Sequence, residues 1–92
     1  SGEGVMHVRV WVSDRLAQRF LKEPMHGSQD MRIEPAAEGI IFNLSLVPDA
    51  QFVRFALQWG SEFQVLEPDD VRHALRLATR KASDRYAPMF GP

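Results

Sequence analysis

The segment from Asp49 to Asp70, DAQFVRFALQWGSEFQVLEPDD, constrains the fold more than any other part of the chain. Asp49 follows Pro48 and is a good N-cap, because its carboxylate can accept from the free N–H groups of a first helical turn. Phe52, Phe55, Ala56 and Trp59 then recur at helical spacing as an aromatic stripe that needs a core. Gly60 stands just past that stripe, where a left-handed backbone ends a helix at little cost to glycine. Phe63 and Val65 alternate with Gln64 and Leu66 as a strand would. Pro68 suits the first position of a new helix, with Asp69 and Asp70 facing its positive end. The segment therefore reads helix, strand, helix.

The upstream half supplies what this unit packs against. Residues 6–12 alternate cleanly, Val8, Val10 and Val12 on one face and His7, Arg9 and Trp11 on the other. Ser13 or Asp14 caps a helix that runs to about Glu23 and stops before Pro24, with Leu16, Ala17 and Phe20 as its core stripe. Residues 25–30 contain Gly27 and read as a loop. Residues 31–35 and 40–47 read as strands joined across 36–39, an antiparallel hairpin with glycine at its end. On the second, Ile40, Phe42, Leu44 and Leu46 share one face, opposite Ile41, Asn43 and Ser45. In the last helix Val71, Leu75, Ala78, Ala82 and Tyr86 form the expected core stripe.

The order is β-α-β-β-α-β plus a C-terminal helix, an α+β chain. Two helices on one face of a four-stranded antiparallel sheet in the order 4-1-3-2 make the ferredoxin-like arrangement. At 92 residues the chain supports one domain, expected over residues 5–87, with 1–4 a remnant or linker and 88–92 a flexible tail. There is no cysteine, hence no disulfide framework or thiolate site, which allows a cytoplasmic home. No apolar run is long enough to cross a bilayer as a helix, and no signal peptide is visible. A net charge of −1 excludes a globally basic nucleic-acid binder. It leaves room for a local basic surface, since residues 71–81 hold Arg72, Arg76, Arg80 and Lys81 and no acid.

Three groups of residues are candidates for a site. His7, Arg9 and Trp11 lie on the open face of a central strand, with Arg32 and Asn43 as neighbours, and an aromatic beside cations can stack bases and neutralise phosphates. The competing reading is that Trp11 packs beneath a neighbouring domain or the final helix. Arg72, Arg76 and Arg80, at i, i+4 and i+8, form one stripe that could follow a phosphate backbone, or a plain solvated helix face. The loop Met25-His26-Gly27-Ser28-Gln29 places Gln29 among polar groups, as a ligand contact or as a loop bonding its own backbone. Val53 and Leu57 widen the apolar arc of the Asp49 helix beyond what one sheet face needs, and Leu77 lies out of register with its core stripe. These three are expected at a dimer or domain interface. Enzyme signals are poor. The three histidines, 7, 26 and 73, lack metal-site spacing, and no nucleophile motif or phosphate-cradling glycine loop is present. No catalysis, metal or cofactor is expected.

Trp59-Gly60, followed six residues later by Leu66-Glu67-Pro68, resembles the C-terminal extension of WYL-domain transcription regulators, the module called WCX. Val8-Arg9-Val10-Trp11-Val12-Ser13, Ser28-Gln29 after His26, and Tyr86 fall where that family has similar residues, and Phe55 stands where the family has tryptophan. The resemblance implies the same ferredoxin-like fold and a homodimeric bacterial regulator with an N-terminal helix-turn-helix and a WYL domain, neither present in these residues. It implies that WYL and WCX together receive an effector, single-stranded DNA in some members, with WCX contributing to dimerisation and to the effector pocket. Two other readings stay open. One is a standalone RNA-binding domain of the same fold, although residues 40–47 offer no aromatic on the open face. The other is a small-molecule regulatory domain that pairs sheets edge to edge.

Overall fold

Two faces of one sheet, one apolar and one polar, organise the molecule. The computed structural model describes residues 4–25 and 32–89. In chain order they form β1 (Met6–Ser13), α1 (Asp14–Lys22), β2 (Arg32–Ala36), β3 (Gly39–Leu46), α2 (Ala50–Leu57), a short 3-10 turn (Gly60–Glu62), β4 (Phe63–Glu67) and α3 (Asp69–Arg85). The four strands make one antiparallel sheet in the order β2-β3-β1-β4, which read from the other edge is the expected 4-1-3-2.

Alternation decides which face is covered. Val8, Val10 and Val12 of β1 are completely buried, as is Phe42 of β3, while Leu44 and Leu46 are nearly so. Leu16, Ala17 and Phe20 of α1 and Phe52 and Ala56 of α2 cover them. Phe20 is the hub of this layer. Its ring meets Phe42, Trp59 and Phe63 edge-on at 6.2, 5.6 and 6.3 Å and lies tilted on Phe55 at 6.1 Å, geometries that favour aromatic quadrupoles.

Local chemistry sets the helix ends. The Ser13 hydroxyl accepts from Leu16 N (3.3 Å) and the Asp49 carboxylate from Phe52 N (3.0 Å), so both expected caps are in place. Two boundaries differ from the sequence reading. Helix α2 ends at Leu57, Gln58 is its C-cap, and Gly60, at φ 60°, opens the 3-10 turn instead of closing the helix directly. Pro68 is the N-cap of α3, not its first residue. Its backbone is extended (φ −80°, ψ 165°), and Asp69 and Asp70 occupy the first turn.

The hairpin holds a further correction. Its two-residue turn, Ala37-Glu38, puts the positive φ on Glu38 (58°), not on the glycine. Gly39 is needed for space, because a Cβ there would lie 2.2 Å from Val12 O and 2.7 Å from Trp11 Nε1.

The largest departure is α3. Of the expected core stripe only Val71 is buried. Leu75 and Ala78 are half-buried, Ala82 is exposed and Tyr86 is 90% exposed. The helix starts against β4 and α2 and then continues past them, so the periodicity persists where no sheet lies beneath it. Among the described residues no helix is long and apolar enough to cross a membrane.

Candidate functional site

The uncovered sheet face carries one continuous polar network that touches all four strands. Register builds it. Arg9 of β1 lies opposite Asn43 of β3, and Asn43 lies opposite Arg32 of β2, so the three side chains share a face. His7 Nε2 donates to Asn43 Oδ1 (2.8 Å). Asn43 Nδ2 donates to the Arg32 carbonyl (3.1 Å) and to Glu34 Oε2 (2.9 Å). Arg9 grips Glu34 with two hydrogen bonds, Nε to Oε2 at 3.1 Å and Nη2 to Oε1 at 2.9 Å. Arg9 Nη1 also reaches Glu67 Oε2 at 3.6 Å, which carries the network to β4.

The sequence reading missed Glu34 and Glu67, and they change what the face can do. Arg9's hydrogen bonds first, and Asn43's next, hold the Glu34 carboxyl down at about 2 from its ordinary 4.5. Arg9 is thus balanced by two carboxylates on the same surface. Arg9 is engaged internally and presents no unmatched charge to a phosphate. Asn43 is buried, with its amide and its carbonyl both satisfied. Glu34 was within reach of sequence reasoning, because a two-residue turn between Ala36 and Gly39 fixes the hairpin register. Glu67 was not. Strict alternation from Phe63 and Val65 would send it to the core, and a register shift opposite Arg9 and Val10 turns it to the open face.

Trp11 stands at the hairpin end of this face. Its Nε1 donates to the Ala37 carbonyl (3.1 Å), and the indole lies across Gly39. Arg32 is exposed and makes no contact ion pair among the described residues, although its charge adds to the lowering of the Glu34 carboxyl. At the same end Glu62 accepts from the Ser13 hydroxyl (2.9 Å) and from Nε and Nη2 of Arg15, which lower its carboxyl pKa, Arg15 more than Ser13.

The remaining candidates are dispersed. Gln29, with His26, Gly27 and Ser28, lies outside the described residues, while Met25 beside them is buried. Arg72, Arg76 and Arg80 are all exposed on α3, away from the sheet network. Val53 and Leu57 are half-buried and Leu77 is 46% exposed, so none of the three is absorbed into the core. No group of three or more histidine or carboxylate side chains among the described residues could hold a metal ion.

A protein-family model, the WCX domain, matches residues 4–83. The chain belongs to the WCX domain family. No curated protein matches it. In this WCX domain Trp59, Gly60, Glu67 and Pro68, among the residues that carry the resemblance, have structural roles. Trp59 is half-buried against Phe20 and Phe55, and the Arg19 guanidinium sits 5.1 Å from its ring centroid. Gly60 supplies the left-handed turn, Glu67 anchors Arg9, and Pro68 caps α3.

Proposed function

We propose that this WCX domain is the dimerisation and effector-sensing module of a cytoplasmic WYL-type transcription regulator, built on a ferredoxin-like scaffold and without a catalytic role. The observation that carries this reading is the WCX match over residues 4–83. The open sheet face is the surface offered to the effector, and a single-stranded nucleic acid such as single-stranded DNA is the class the family resemblance implies. The geometry redistributes the roles. Trp11 gives a base a flat surface fixed by its bond to Ala37, Arg32 gives a phosphate an unpaired cation, and Arg9, locked between Glu34 and Glu67, positions the face. Val53 and Leu77 supply apolar contact to a second copy or to the WYL domain. The effector acts by binding one arrangement of the assembled regulator better than the other.

The test is a titration of short labelled single strands into the regulator that carries this chain, wild type against Trp11→Ala and Arg32→Glu, each first shown to be folded. Loss of a stacked base costs roughly 1–3 kcal/mol. Arg32→Glu flattens the salt dependence by about one phosphate contact. Unchanged affinity and slope in both variants would make the face a contact for a neighbouring domain. The mutual satisfaction of His7, Asn43, Glu34 and Arg9 suits that second reading, because a polar surface with its own bonds complete docks with little desolvation cost.

A further inference from the structure

The arginines of α3 do not behave as one stripe. Arg72 and Arg76 line a groove of about 320 Å³ between α2, β4 and α3, and Arg80, one turn further on, does not. The floor is apolar, made by Leu57, Phe63, Val65 and Leu75, and no carboxylate lines it among the described residues. Neither arginine has an ion-pair partner among the described residues, although Asp69 stands one turn before Arg72. Like charges at i, i+4 repel one another on a helix. Among the described residues no ion pair offsets that repulsion, whereas Arg9 and Arg15 are each paired with glutamate and Arg19 lies over Trp59.

From this we infer a ligand site for a small amphipathic organic anion, with an apolar ring or branched body on the Leu57–Val65–Leu75 floor and a carboxylate, sulfonate or phosphate head between Arg72 and Arg76. The volume is at the lower end of the range for small-molecule pockets, and paired guanidinium groups are suited to a bidentate oxyanion. A nucleic-acid strand fits less well. Stacking requires an accessible aromatic face, and Phe63, the one aromatic lining the groove among the described residues, is 7% exposed. A larger cleft of about 620 Å³, beside Val47 and Phe55, has Asp49 as its one charged lining group among the described residues, and that carboxylate already caps α2. It offers no comparable recognition. The inference goes beyond the effector reading of the sheet face and uses none of its residues.

The test uses 8-anilinonaphthalene-1-sulfonate as the probe, titrated into the folded chain by fluorescence and mapped by amide shift changes. Binding should perturb Leu57, Val65 and Leu75. Arg72→Gln and Arg76→Gln should each weaken it roughly tenfold, the loss of one charge-assisted contact, while Arg80→Gln leaves it within about twofold. Competition separates head from body. 2-Naphthoate should displace the probe at least tenfold better than the neutral 2-naphthalenemethanol, and inorganic phosphate alone should displace it poorly. Equal losses in Arg72, Arg76 and Arg80 variants, with efficient displacement by an oligothymidylate, would overturn the groove in favour of a backbone-tracking stripe. Shift changes confined to the Val47 and Phe55 cleft, or no dependence on either arginine, would also overturn it.

Discussion

Replacing Gly39 by alanine tests a close approach between β3 and β1. The added Cβ would lie 2.2 Å from Val12 O, 2.7 Å from Trp11 Nε1 and 2.9 Å from Trp11 Cε2. The indole can swing away, at the expense of its bond to Ala37. The Val12 oxygen is backbone in the central strand and cannot. To move from 2.2 to the 3.0 Å that real Cβ atoms respect, the end of the β1–β3 ladder must open by about 0.8 Å. That disturbs the Val12↔Ile40 and Ser13↔Gly39 pairs. Two backbone hydrogen bonds at about 0.5–1.5 kcal/mol each give a loss of about 1–3 kcal/mol, and overpacking by one methyl group gives the same range. For a domain of this size each kcal/mol corresponds to about 4–8 °C in Tm, so a fall of roughly 4–24 °C is expected. Urea unfolding followed by circular dichroism is the assay, with the midpoint falling at constant slope. Gly60→Ala is the control. Its Cβ would meet nothing within 4 Å, so only the left-handed backbone is penalised, by about 1–2 kcal/mol. A Gly39→Ala loss below about 0.5 kcal/mol would refute the steric argument.

Phe20→Ala removes the ring shared by Phe42, Phe55, Trp59 and Phe63 from a site only 4% exposed; a loss of about 3–5 kcal/mol is expected in the same urea assay, and one below about 1.5 kcal/mol would show that the aromatic layer closes over the gap. The pH dependence of stability carries a signature of Glu34. Its folded-state pKa, about 2, is below the ordinary 4.5, so its contribution is complete above about 4.5 and is lost as pH falls towards 2. Unfolding midpoints measured across that window should fall more steeply for wild type than for Glu34→Gln, and parallel curves would mean that the Arg9 grip contributes nothing.

The local signals of the chain were strong because they come from short-range sterics. Alternating valines in β1, the caps at Ser13 and Asp49 and the glycine at 60 each fix a backbone state through neighbouring atoms alone, and they predict the helices and strands with boundaries shifted by a residue or two. The same alternation placed His7, Arg9, Trp11 and Asn43 on one open face. What those side chains do there depends on groups distant in sequence. Glu34 comes 25 residues after Arg9, and Glu67 reaches the face only through the register shift in β4. Gly39 was read as a turn glycine because sequence reports φ preferences and not the nearness of Val12 O. The stripe from Val71 to Tyr86 is a uniform helical period, yet half of it is uncovered, because periodicity records the face a helix presents and not where the sheet beneath it ends. The sequence alone determined the elements and their faces; the tertiary structure decided which charges cancel on the sheet, and that Arg72 and Arg76, but not Arg80, stand over a groove.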